Sequence, residues 1–140
     1  MRHRVYGKHL GRNKDQRKTL FKELMYALFS HGTIQTSETK AKAIKGLVDK
    51  VINFAKEKNI HNLQSYISDK SLRERLVKEV APKLGARNSG YTKLIRIGTR
   101  VGDQTNMVRM SLIESEEMKP ISKENVSRVE KPRDTSNTSK

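Results

Sequence analysis

A chain of 140 residues with 30 Lys+Arg against 15 Asp+Glu has the length of one domain and, at a formal net charge of +15, the charge of a polyanion binder. An apolar fraction of 34% allows only a small core, and no apolar run reaches the roughly 18 residues that a membrane-spanning helix needs. The absence of cysteine excludes a disulfide scaffold, a Cys-ligated metal and a Cys nucleophile, and it points to a cytosolic compartment.

Residues 1–14 carry almost no periodic apolar pattern. Only Val5, Tyr6 and Leu10 are large and nonpolar, and Gly7 and Gly11 break any helix. They predict an extended basic arm, disordered in the free chain because it buries too little to offset its entropy. A helix follows from Asp15 to His31, with Leu20, Phe21, Leu24, Met25, Leu28 and Phe29 on one stripe. Asn13 or Asp15 can cap its start, and Gly32 can end it in the left-handed conformation. Arg17, Lys18 and Lys22 occupy its first turns, where the helix dipole disfavours cations and a phosphate would relieve the repulsion.

Thr33–Ser37 alternates and is rich in β-branched residues, so it reads as a strand. Ser37 or Thr36 then caps a helix from Glu38 to about Lys58. Its buried stripe is Ala41, Ile44, Val48, Val51, Ile52 and Ala55, with Lys40, Lys42, Lys45, Lys50 and Lys56 mostly off it. Ile60–Ile67 suggests a short helix. A third long helix runs from Ser71 to about Leu84, with Leu72, Leu76, Val77 and Val80 on one face and Pro82 disturbing its last turn. Gly85–Gly90 is a loop. Tyr91–Ile97 and Met107–Glu114 alternate with period two, the second placing Val108, Met110 and Leu112 opposite Arg109 and Ser111. Gly98–Asn106 joins them as a long hairpin loop. Residues 115–140, polar and without an aromatic, read as a disordered extension. A globular α/β domain over 15–114 therefore lies between the arm and the extension.

The charge is uneven. Residues 1–22 hold eight cations and one acid, Asp15, and Lys83–Arg100 holds five cations and no acid. Residues 115–140 are nearly balanced, which leaves +14 on residues 1–114. A solvated surface normally mixes both signs, so two acid-poor stretches point to a bound polyanion.

Other chemistry is weakly signalled. His3, His9, His31 and His61 lie at no metal-ligand spacing. His31 reads as a dipole-favoured residue at a helix end. His3 and His9 sit among arginines, and they suit RNA contact by stacking or hydrogen bonding, or serve as spacers. The Gly85–Gly90 loop lacks the Gly-Lys-Ser/Thr of a phosphate loop. Asp103 reads as a turn residue. Tyr91 suits either the core or a stacking platform beside Arg87 and Lys93.

The opening Met1-Arg2-His3-Arg4, then Gly7, Leu10, Arg12-Asn13, Arg17 and Leu20-Phe21, resembles the bacterial large-subunit ribosomal protein L-seventeen family. So do His31, Ile34, Thr36, Lys40-Ala41-Lys42, Ile52, Ala55-Lys56, Ala81-Pro82-Lys83, Gly90-Tyr91-Thr92, Arg96 and Gly102-Asp103. The resemblance covers about residues 1–114, and typical members lack the extension. It implies an α/β fold of the α+β type, in which a small mixed or antiparallel sheet of about three strands packs against three to four helices. It also implies a structural component of the large subunit, bound to large-subunit rRNA and to neighbouring proteins such as L-thirty-two.

The residues expected at the RNA are Arg2, His3, Arg4, Lys8, His9 and Arg12 of the arm, and Lys14, Arg17, Lys18 and Lys22 of the first helix. Further along they are Lys40, Lys42, Arg87, Tyr91, Lys93, Arg96 and Arg100. No catalytic residue, metal, cofactor, small-molecule substrate or membrane contact is expected. A nucleoid-type DNA-binding protein is the alternative, but no helix carries a base-reading set and the arm lacks minor-groove wedges. A small nuclease or RNA-modifying enzyme would need a metal site or a nucleophile–base pair, and neither is visible. A start at Met1-Arg2-His3-Arg4 without a transit segment favours the bacterial cytoplasm.

Overall fold

The computed structural model describes residues 7–85 and 87–113. Arg2, His3, Arg4 and the expected extension at 115–140 lie outside the described residues.

Helix α1 (Lys14–His31) starts at Asn13, whose backbone N–H donates to the Gln16 side chain at 3.2 Å. It ends at Gly32, which takes φ 74° and returns its N–H to the Leu28 carbonyl at 2.8 Å. The chain then enters strand β1 (Thr33–Ser37) and turns directly into helix α2 (Glu38–Lys56). All six residues of the expected α2 stripe are buried, because α2 is the central element: it packs on α1, on all three strands and on the helices that follow. It stops two residues earlier than its periodicity suggests. Lys58 takes φ 55° there, and Asn59 N–H closes back on the Phe54 carbonyl at 2.9 Å.

Helix α3 (Ile60–Tyr66) is capped by Asn59, and helix α4 (Lys70–Arg75) by Asp69, whose carboxylate accepts from Ser71 N–H at 3.0 Å. The expected third long helix is thus present, but with a changed hydrogen-bond register. α4 continues through a π turn, Leu76–Val80, into the short helix α5 (Ala81–Lys83). Ala81 N–H bonds to the Leu76 carbonyl five residues back. Pro82 explains the widening: it brings no N–H, and its ring would crowd a carbonyl in tight α register. Leu76 and Val80 stay in the core across the turn.

Strands β2 (Thr92–Thr99) and β3 (Asn106–Leu112) complete an antiparallel sheet in the order β1-β3-β2. The expected α+β arrangement is correct, and its sheet is purely antiparallel. Val108, Met110 and Leu112 face the helices, and Gln35, Arg109 and Ile95 form one row on the other face. A bulge at Ile97 shifts the register between Arg96 and Gly98, where glycine accommodates φ 145°. Ile95 is exposed on the open face of the sheet, and Ile97 at the bulge and Val101 in the hairpin loop are exposed as well. Among the described residues no helix is long and apolar enough to cross a membrane.

Candidate nucleic-acid interface

The described part of the arm is not extended. Leu10 and Gly11 both take positive φ, and Arg12 N–H closes a turn on the His9 carbonyl at 3.2 Å. One nitrogen of Arg17 lies 3.4 Å from the carbonyls of both His9 and Arg12, while Arg12 caps the Leu10 carbonyl at 2.9 Å. Two arginines thus satisfy backbone acceptors that a loop would otherwise leave to water, and they fix the arm against the start of α1. Lys8 and His9 remain exposed.

Lys14, Arg17, Lys18 and Lys22 fall on one face of α1 by their helical spacing. They border a groove of about 450 Å³ whose floor includes Phe21, Met25, Leu47 and Tyr66, and no carboxylate lines it. Met25 belongs to the core, and Phe21 is half-buried against it, so the apolar stripe of α1 tapers outward into this groove. The same taper leaves Leu24 only partly buried, whereas Leu28 and Phe29 are fully enclosed.

A second cluster forms where the arm, the start of α2 and the β2–β3 hairpin meet. Lys8, Lys42, Thr105 and Asn106 surround a shallow depression there, with Glu38 at its base. Glu38 accepts from Lys42 at 2.7 Å and from Arg96 at 3.4 Å. The Lys42 hydrogen bond first, and the two positive charges after it, hold the Glu38 carboxyl below the usual carboxylate range. Arg96 stands opposite Val108 in the sheet register, but its side chain is 82% exposed, so it meets Glu38 from the solvent side. Lys40 is half-buried on the same helical turns.

Lys93 is exposed on the open face of β2, and Arg100 is exposed in the hairpin loop. Asp103 organises that loop: it accepts from Arg100 Nε at 3.0 Å, from Thr105 Oγ1 at 2.8 Å and from Thr105 N–H at 3.3 Å. The Arg100 and Thr105 hydrogen bonds drive its carboxyl far below the ordinary range. In turn, Asp103 raises the Arg100 guanidinium further.

Tyr91 is the correction. Its ring is fully buried, and its hydroxyl accepts from Lys56 Nζ at 2.8 Å while lying 2.6 Å from Asn53 Oδ1 and 2.8 Å from the Arg87 carbonyl. Lys56 Nζ also sits 4.5 Å from the ring centroid and bonds the Arg87 carbonyl. A base cannot stack on an enclosed ring, so Tyr91 anchors the loop before β2 instead. Asp49 joins it, accepting from Gly90 and Tyr91 N–H at 3.3 and 3.2 Å, and Asn53 donates to the Asn88 carbonyl at 3.3 Å. Asp49, Asn53 and Lys56 recur at helical spacing, but on sequence alone they pass for solvated residues of α2. Their work is to hold Arg87 exposed on one side of the loop. Arg109, exposed beside Ile95 on the open sheet face, is a cation that the sequence placed correctly without counting it at the interface. Among the described residues no three His, Asp or Glu side chains converge on a metal-sized site.

The chain is similar to proteins with an established place. The family described as Ribosomal protein L17 matches residues 20–113. A relative from Thermodesulfovibrio yellowstonii, "Large ribosomal subunit protein bL17", is 41% identical over 106 residues, covering 74% of this chain and 80% of its own. Proteins of the same name from Rubrobacter xylanophilus and Clostridium botulinum are 38% and 36% identical, covering 81% and 74% of this chain and 96% and 95% of theirs. The matched span takes in the helices and sheet just described from Leu20 to Ile113, so the chain belongs to the bacterial ribosomal protein L-seventeen family.

Proposed function

We propose that this protein is a structural, non-enzymatic constituent of the large ribosomal subunit of the bacterial cytoplasm, and that it binds large-subunit rRNA through Lys and Arg contacts to phosphate. The observation that carries the reading is the face of α1, where four cations border one groove with no carboxylate among its lining residues. Cations so placed repel one another, and RNA brings the phosphates that neutralise them. The domain over 15–114 supplies a rigid platform, and the arm over 1–14 reaches between RNA helices. Neighbouring large-subunit proteins, L-thirty-two among them, are the proposed protein partners. The α1 face, Lys8 with Lys42 and Arg96, and Arg87, Lys93 and Arg100 are the proposed phosphate contacts.

The test is co-sedimentation of the tagged chain with large subunits through a moderate salt wash, followed by crosslinking on the purified particle. Retention with crosslinks to rRNA from the α1 face supports the reading. Release into the free pool, with tighter binding to duplex DNA than to rRNA, overturns it in favour of a nucleoid protein.

A further inference from the structure

The α1 groove carries more than charge. A surface that binds only phosphates needs no concavity, since Lys and Arg on a convex helix reach a duplex backbone equally well. Here the cations stand beside a groove of about 450 Å³ that is open to solvent along one side. Phe21 and Tyr66 line it, both half-buried and both packed on the core. Phe54 lies beside Tyr66 with ring centroids 6.2 Å apart and the ring planes tilted by 32°, an aromatic contact that restrains the tyrosine ring. The groove thus offers a firm aromatic wall next to a row of positive charge. From Lys14 to Lys22 that row spans about 12 Å at 1.5 Å per residue.

The complementary guest is a flat aromatic group carrying anions on both sides. An unpaired nucleotide has that form; a paired one does not, because its base faces are covered by its neighbours in the stack. We infer that this groove receives one extruded, unpaired nucleotide of the RNA. Its base lies on Phe21 and Tyr66, and its flanking phosphates lie along Lys14, Arg17, Lys18 and Lys22. The inference rests on the rRNA-binding reading and deepens it, because it names a bulge or loop nucleotide as the feature recognised. Stacking is tolerant of base identity, so any of the four bases satisfies the site.

The probe is an RNA hairpin with a single-nucleotide bulge of 2-aminopurine, compared with a fully paired hairpin carrying 2-aminopurine within its stem. Each is titrated with the full chain. The bulged hairpin is expected to bind about tenfold more tightly, the scale of one base stacked on protein aromatics, and its fluorescence is expected to change on binding. Phe21→Leu with Tyr66→Leu keeps the apolar bulk and removes the rings. That variant should lose the fluorescence change and the preference while keeping its affinity for the paired hairpin. If the variant does not fold, the wild-type fluorescence and affinity ratio decide alone. Equal affinity for the two hairpins without a fluorescence change overturns the inference and leaves the rRNA reading standing. No binding to either hairpin at low salt overturns both. If a Glu-rich peptide bearing a tryptophan shifts the Phe21 and Tyr66 resonances while the bulged RNA does not, the groove is a peptide site and the inference falls.

Discussion

Tyr91 shows how one side chain can be read in opposite ways from sequence. It stands between two cations, as a stacking residue would, yet it sits one residue before β2, in the loop that closes onto α2. The structure gives it to the core and recruits Lys56 and Asn53 to its hydroxyl. Tyr91→Phe should therefore destabilise the fold by about 1–3 kcal/mol, because partners that the hydroxyl satisfied are left short of a hydrogen bond. RNA affinity should stay unchanged; a loss of affinity at full stability would return the ring to the interface. Burial also grades the α1 stripe. Leu28 is fully enclosed, so Leu28→Ala should cost about 2–5 kcal/mol in urea unfolding. Leu24 is only partly buried, and Leu24→Ala should cost clearly less, since solvent already reaches part of the side chain. Equal costs would mean that Leu24 is as enclosed as Leu28. The helical period made the stripe legible, but the period alone does not say where along α1 the neighbouring helices end.

At the scale of elements, periodicity and turn chemistry exposed nearly the whole fold. The α2 stripe, the β1 strand, the Gly32 stop and the β3 alternation all follow from local spacing, which tertiary packing reinforces here. What the spacing could not reveal are devices that depend on distant partners. The π turn at Leu76–Val80 needs both the proline downstream and a core that keeps Leu76 and Val80 buried. The clasp of Asp49, Asn53 and Lys56 closes on a loop more than thirty residues away. Arg96 depends on Glu38, fifty-eight positions apart. The β2–β3 hairpin loop can be tested through its own acid. Asp103 has a carboxyl pKa lowered in the folded state by Arg100 and Thr105. Its contribution to the loop is therefore complete above the ordinary carboxylate range and is lost as pH falls through the depressed folded value. Carboxyl carbon resonances should show Asp103 still ionised at a pH where exposed carboxylates have already protonated. Asp103→Asn should increase the amide exchange of Arg100 and Gln104 at neutral pH. Titration of Asp103 together with the exposed acids would show that the Arg100 pairing does not persist in solution.

For the whole molecule, composition announced a polyanion partner, but only the folded chain divides the cations by task. Arg17 and Arg12 cap backbone carbonyls of the arm, Lys56 braces Tyr91, Arg96 and Lys42 share Glu38, and Arg100 is held by Asp103. Each carries positive charge while serving the fold, which is why a count of Lys and Arg cannot rank them. Lys14, Lys18 and Lys22 differ, standing along one groove whose lining holds Phe21, Met25, Leu47 and Tyr66 and no carboxylate. Their replacement by alanine should leave the melting temperature nearly unchanged, since surface substitutions of this kind stay within about 0.5 kcal/mol. Relief of repulsion at the start of α1 acts in the stabilising direction. The same triple change should weaken RNA binding most at low salt. It should also flatten the plot of log K against log salt by roughly 2 to 3, as three phosphate contacts at roughly 0.7–0.9 each require. Lys45 and Lys50, exposed on α2 and absent from both clusters, give the comparison. Their alanine variants remove two equivalent charges and should leave the slope almost unaltered. If both sets flatten the slope in proportion to charge removed, RNA responds to the net charge of the chain rather than to this groove. If only the α1 set does so, the positive face of α1 is the surface that the phosphates meet.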